Sequence, residues 1–187
     1  MAGINWPTGR SLSMAMGQRS FEAVVVPHLD AAFNYARWLA GNEADAEDVV
    51  QDAAVRAFRF FSSLRGEDAR AWLLTIVRHA WYARLSQRAR AASTEYDEMA
   101  DMRPDERLGP EALVMQRQTV ERVRHAVEQL PADFREVIVL RELEGLSYKE
   151  IAAVVDIPIG TVMSRLARAR ERLLAVLDPT PAMGDAS

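Results

Sequence analysis

The chain contains no cysteine in its 187 residues. That absence excludes disulfides and thiolate metal sites, and it fits a reducing compartment. The three histidines, His28, His79 and His125, are scattered and lack the spacing of metal ligands. No phosphate-binding glycine loop and no nucleophile motif is found, so the sequence predicts no enzyme, no cofactor and no metal. No apolar run approaches the roughly 18 residues of a membrane span. Residues 1–19 lack the apolar core of a signal peptide and read as a flexible leader, with Met14 and Met16 as alternative starts. Convincing alternating strands are missing too, and what remains is helical periodicity: the expected fold is all-α.

With 49% apolar and 27% charged residues the chain can pack one domain or two small ones. The net charge of −4 argues weakly against a nucleic-acid partner, but the charge is sorted into blocks. Residues 43–52 carry five acids (Glu43, Asp45, Glu47, Asp48, Asp52) and no base. Residues 69–92 carry five arginines (Arg70, Arg78, Arg84, Arg88, Arg90) and no acid, and residues 93–111 carry seven acids against two bases. Blocks of opposite sign imply different partners for different surfaces.

Pro27 interrupts the first apolar segment, so a helix is predicted over His28–Leu39. A second starts at Asn42 or Ala44, with Ala46, Val49, Val50, Ala53, Ala57 and Phe60 or Phe61 along one stripe. A third follows over Ala69–Arg90, with Trp72, Leu73, Ile76, Val77, Ala80 and Leu85 facing a core. These three suffice for a small bundle. Periodicity then fades in an acidic stretch containing Pro104, Gly109 and Pro110, which reads as a linker. The spans are residues 20–92 for an N-terminal helical domain, 93–111 for the flexible acidic linker, 112–178 for a C-terminal domain and 179–187 for a disordered tail.

The C-terminal domain ends in the most informative pattern. Gly145 suits a left-handed helix end, and Ser147 followed by Glu150 is a capping box that starts a new helix. Ile151, Ala152, Val154 and Val155 give it an apolar face before Asp156-Ile157-Pro158 breaks it. In the next helix Val162, Leu166, Ala169, Leu173 and Leu177 point inward and Ser164, Arg165, Arg168 and Arg172 outward. This is the layout of a helix-turn-helix whose second helix enters the major groove; the plain alternative is a surface hairpin with a solvated arginine face. The third helix is equally double-edged. Trp81 and Tyr82 beside Arg78, His79, Arg84 and Arg88 can stack unpaired bases while the cations hold phosphates, or the arginines are simply solvated. The loop Leu64-Arg-Gly-Glu-Asp68 can border a pocket for an extruded base.

Three blocks, in order, resemble the extracytoplasmic-function (ECF) sigma factors of the sigma-70 family, the small two-domain initiation subunits of bacterial RNA polymerase. They are Asp45–Phe58, Phe61–Arg78, and Leu130–Leu140 running into the helix-turn-helix; the likeness covers about residues 20–177. The resemblance implies that Asp45, Glu47, Asp48, Val50, Gln51, Asp52 and Val55 dock on the clamp helices of the polymerase's largest subunit. It implies that Arg65, Gly66, Glu67, Asp68, Arg70, Trp72, Arg78, His79, Trp81, Tyr82, Arg84 and Arg88 melt the minus-ten promoter element and read its non-template strand. Tyr148, Lys149, Gly160, Thr161, Met163, Ser164, Arg165 and Arg168 would read the minus-thirty-five element as duplex. A further implied partner is an anti-sigma protein that clamps both domains, with the chain working in the cytoplasm. Departures from the family pattern fall on promoter-reading positions: His79 for Asn, Ala83 for Asp, Met163 for Lys or Arg, Ala167 for an aromatic or His, and Asp156 for the turn Gly. Two other readings stay open, a sigma-like decoy that titrates an anti-sigma protein and a stand-alone helix-turn-helix regulator.

Overall fold

The computed structural model describes residues 20–64, 68–92 and 111–178. The leader, the loop residues Arg65, Gly66 and Glu67, most of the expected linker and the expected tail lie outside them. All regular structure among the described residues is helical. The short α1 (Phe21–Val24) leads into a 3-10 turn at Val26–His28, where Pro27 sits in the first turn; α2 (Leu29–Ala40) follows. Gly41, at φ 77°, closes α2 in the left-handed conformation that costs glycine little. Asn42 then caps α3 (Glu43–Phe60), its side chain accepting from the Asp45 amide at 2.8 Å. A second 3-10 turn (Phe61–Ser63) precedes α4 (Ala69–Ala92).

The later residues form α5 (Glu111–Glu128), α6 (Ala132–Ile138), a π turn at Val139–Leu143, α7 (Tyr148–Val155) and α8 (Ile159–Leu177). The predicted capping box is formed: Glu150 N–H donates to Ser147 Oγ at 3.3 Å, and Ser147 N–H to the Glu150 carboxylate at 2.6 Å. Gly145 has φ 66°, and Asp156, at φ 56°, takes the left-handed turn without being glycine. The π turn buries Val139, Leu140 and, just beyond it, Glu144, while it leaves Leu143 outside.

The two helical sets do not stand apart. One continuous buried cluster runs from Phe21 in α1 to Ala169 in α8, with α4 against α7 and α2 against α6. In α4 the core residues are Leu73, Leu74, Val77 and Ala80. Leu85, expected in that stripe, is instead 45% exposed. The helix outruns the layers packed on it, so a helical period that is still present in the sequence no longer has a neighbour to face. Leu74, fully buried, was not expected there; it turns inward because α4 is covered on two sides rather than one.

Candidate nucleic-acid interface

α3 presents Glu47, Gln51, Val55 and Phe58 on one exposed stripe at spacings of four, four and three. Asp48 and Asp52 flank it, also exposed, and Val50 is half-buried. Phe58, 63% exposed and edge-on to Phe21 at 5.3 Å, extends the stripe. Sequence reading missed it, although its spacing of seven from Gln51 carried the signal. Asp45 behaves differently from its neighbours. It is buried and pairs with Arg84 at 3.1 Å and with Arg88, whose Nη1 lies 2.8 Å away. The hydrogen bond from Arg88 holds its carboxyl well below the usual carboxylate range, with further bonds from Asn42 and Arg84 acting against the cost of burial. Arg84 also reaches Asp48 at 2.6 Å. Two residues assigned by resemblance to DNA and two assigned to the polymerase are thus paired with each other.

The other arginines of α4 meet acids from the C-terminal half. Arg78 Nε donates to Glu136 Oε1 at 2.9 Å, and the buried Tyr35 hydroxyl donates to the same oxygen at 2.7 Å. Burial works against the Arg78 charge, yet the Glu136 carboxylate more than compensates and raises its pKa. Burial, and then the same carboxylate, pushes the Tyr35 hydroxyl well up. Arg70 pairs with the buried Glu144, and its Nε, like that of Arg84, is buried without a partner among the described residues. Trp81 and Tyr82 are half-buried beside Trp38, Ala132, Arg135 and Glu136 in a cleft of about 30 Å³ between the two halves. Arg78 also lies over the Tyr82 ring, 4.7 Å from its centroid. On the remaining side of α4, His79 is exposed and Trp72 half-buried; Asp68 is exposed at the helix start, where it accepts from the Arg70 amide at 2.9 Å.

α8 is arranged the other way round. Gly160, Met163, Ser164 and Arg168 are exposed on its N-terminal half and Thr161 is half-buried. A Cβ at Gly160 would meet nothing within 4 Å. Lys149 is exposed on α7, while Tyr148 is half-buried with Arg141 over its ring at 5.0 Å. Arg165 turns partly inward to Asp133 at 2.7 Å, Arg172 covers the Phe134 ring at 5.0 Å, and Arg170 pairs with Glu142 at 2.7 Å. These three face the α6 layer and hold α8 in place. The four exposed residues form a surface suited to the edges and phosphates of a duplex groove. No group of three or more His, Asp or Glu side chains suited to a metal occurs among the described residues, and no helix there is long and apolar enough to cross a membrane.

Comparison with known proteins assigns both helical sets. Residues 24–91 match the family Sigma-70 region 2, and residues 120–173 match Sigma-70, region 4. The chain is 40% identical over 137 residues to the ECF RNA polymerase sigma-E factor of Escherichia coli, covering 69% of this chain and 72% of that protein. It is 32% identical over 171 residues to the ECF RNA polymerase sigma factor SigE of Mycolicibacterium smegmatis, covering 89% of this chain and 66% of that protein. Among solved structures, the sigma factor RpoE of Bartonella quintana, in complex with the anti-sigma factor NepR, aligns with a TM-score of 0.68 at 30% identity over 84% of this chain and 96% of that one. CnrH, in complex with the cytosolic domain of CnrY, aligns with a TM-score of 0.60 at 29% identity, over 88% and 92% of the two chains. The chain belongs to the ECF sigma factors of the sigma-70 family.

Proposed function

We propose that this chain binds core RNA polymerase, directs it to a set of promoters and helps open them, without making or breaking a covalent bond itself. The observation that carries this reading is the coexistence on one chain of the exposed acidic and apolar stripe of α3 with the open groove-reading face of α8. The stripe of Glu47, Gln51, Val55 and Phe58 docks on the polymerase. Exposed ion pairs contribute only about 0–1 kcal/mol each, so Val55 and Phe58 supply most of the affinity and Glu47, Asp48 and Asp52 the orientation. Asp45 acts as a positioning residue, fixing α3 to α4 through Arg84 and Arg88.

The N-terminal half of α8 enters the major groove of the minus-thirty-five element. α4, with His79, Trp72 and the loop 65–68, takes the melted minus-ten strand. Unstacking costs a few kcal/mol and each captured base returns about 1–3 kcal/mol by stacking, so two or three captured bases drive opening. Residues 20–92 and 112–178 act as separate units in this process, and the acidic segment 93–111 spans the distance between the two elements. An anti-sigma protein holds the chain inactive, a reading supported by the complex of the similar sigma factor RpoE with the anti-sigma factor NepR. Work on the polymerase places the chain in the cytoplasm.

Run-off transcription with core polymerase, on a promoter pool from the source genome, tests the reading. The expected outcome is a set of transcripts that need this chain. Core binding without transcripts would favour the decoy, and no core binding would favour the stand-alone regulator.

A further inference from the structure

The exposed face of α8 is divided lengthwise. Ile159, Met163 and Ala167 follow one another at spacings of four along one side, and Gly160, Ser164 and Arg168 along the other. The first file carries no hydrogen-bond donor, only hydrocarbon and the weakly accepting thioether of Met163. Ile159 is 49% exposed and Met163 53%, so two large apolar groups are left in water on the N-terminal half of the helix. A long side chain on a helix leans back over the residues three and four positions before it. For Met163 these are Gly160 and Ile159, and Gly160 has no side chain to lift it away from the backbone. Two arginines of the same helix are turned elsewhere, Arg165 to Asp133 and Arg170 to Glu142. Base edges in the major groove present donors, acceptors and one apolar group, the C5-methyl of thymine. Opposite Met163 a G·C pair would lose its water without gaining a good hydrogen bond, whereas an A·T pair places a methyl there.

We propose that Met163, backed by Ile159, is a specificity-determining residue that recognises the C5-methyl of a thymine in the upstream promoter element. Ser164 and Arg168 beside it take the hydrogen-bonding edges and the phosphates. The proposal rests on the sigma-factor reading and deepens it, because it names what this chain demands of the duplex at one position. That demand is an A·T pair in the orientation that turns the methyl toward Met163. Discrimination there comes from burial of hydrocarbon rather than from a bond or a charge, so it is insensitive to salt, unlike the phosphate contacts. Burying one methyl-sized group changes affinity about fourfold.

Duplexes with a randomised upstream element, selected by the full chain with core polymerase and by the full chain alone, give the preferred sequence. Each thymine of that element is then replaced in turn by deoxyuridine, which removes the methyl and keeps every hydrogen-bonding group. The parent chain is expected to bind about fourfold more weakly when one particular thymine is replaced. Met163→Lys should bind the thymine and uracil duplexes equally at that position, and Met163→Leu, which keeps the hydrocarbon, should retain the discrimination. Each ratio compares one protein on two duplexes, so a general loss of stability or affinity in a variant cancels. The proposal is overturned if no replacement weakens the parent, if Met163→Lys keeps the parent ratio, or if Met163→Leu loses it as fully as Met163→Lys. Selection by the chain alone but not with core polymerase, with the same thymine-to-uracil ratios, would sink the sigma-factor reading and leave the methyl contact standing. Selection by neither overturns both.

Discussion

α4 and α8 are both rich in arginine, and they use it in opposite ways. In α4, Arg70, Arg78, Arg84 and Arg88 all meet carboxylates, two from the C-terminal half and two from α3. In α8 the paired arginines, Arg165 and Arg170, point toward α6 and its π turn, while Arg168 stays exposed beside Met163 and Ser164. Composition alone ranks the two helices as equal candidates for nucleic acid. Availability is decided by which acids lie opposite, and that depends on residues as far as 74 positions away, as for Arg70 and Glu144.

The comparison breaks most severely at Glu136. Glu136→Ala leaves Arg78 half-buried and uncompensated, which costs about 3–5 kcal/mol for a buried pair; urea unfolding should show a loss of unfolding free energy of that size. A loss below about 1 kcal/mol would mean that Arg78 escapes to solvent and that the pairing is incidental. On the other helix, Arg168→Ala should leave the unfolding midpoint unchanged and weaken binding to promoter duplex by about 1–3 kcal/mol. The reverse pattern, lost stability and unchanged DNA affinity, would make Arg168 a packing residue.

Asp45 sharpens the contrast through pH. Its folded pKa is depressed, so the stability it contributes is present above its unfolded value near 4 and is lost as pH falls through the lower folded value. Asp45→Asn should therefore cost about 1–2 kcal/mol at pH 7, a figure reduced for the exposure of Arg88, and the gap between variant and parent should narrow below about pH 4. Thermal unfolding across pH 2–7 checks this; a gap independent of pH would assign the loss to the Asn42 cap instead. The smallest effect is expected at Asp156, where glycine suits the left-handed backbone better: Asp156→Gly should raise stability by no more than about 1 kcal/mol.

Most of the fold was legible because local chemistry marks it. Pro27, Asn42, Gly145 and the Ser147–Glu150 box set element ends to within a residue or two. The helix-turn-helix was equally plain, since its inward stripe of Val162, Leu166 and Ala169 is continuous. The pairing of Asp45 with Arg84 and Arg88 was not, because an acid in the first turn of a helix already has a local reason to be there. Nor could periodicity place Arg78 against Glu136: it shows which face of α4 is apolar, but not that a second layer closes over the polar one. Leu85 and Leu74 went astray for the same reason, one losing and one gaining a neighbour that only the tertiary arrangement supplies.

The most direct test of the assignment of α4 and α8 uses tethered cleavage of promoter DNA. An iron chelate attached at S86C on α4 or at A167C on α8, both exposed positions in a cysteine-free chain, cuts whatever lies beside it in the polymerase–promoter complex. The account predicts cleavage of duplex from α8 at the upstream element and, from α4, cleavage near the opened non-template strand. Cuts from both probes at one site, or none from α4 in the open complex, would contradict it.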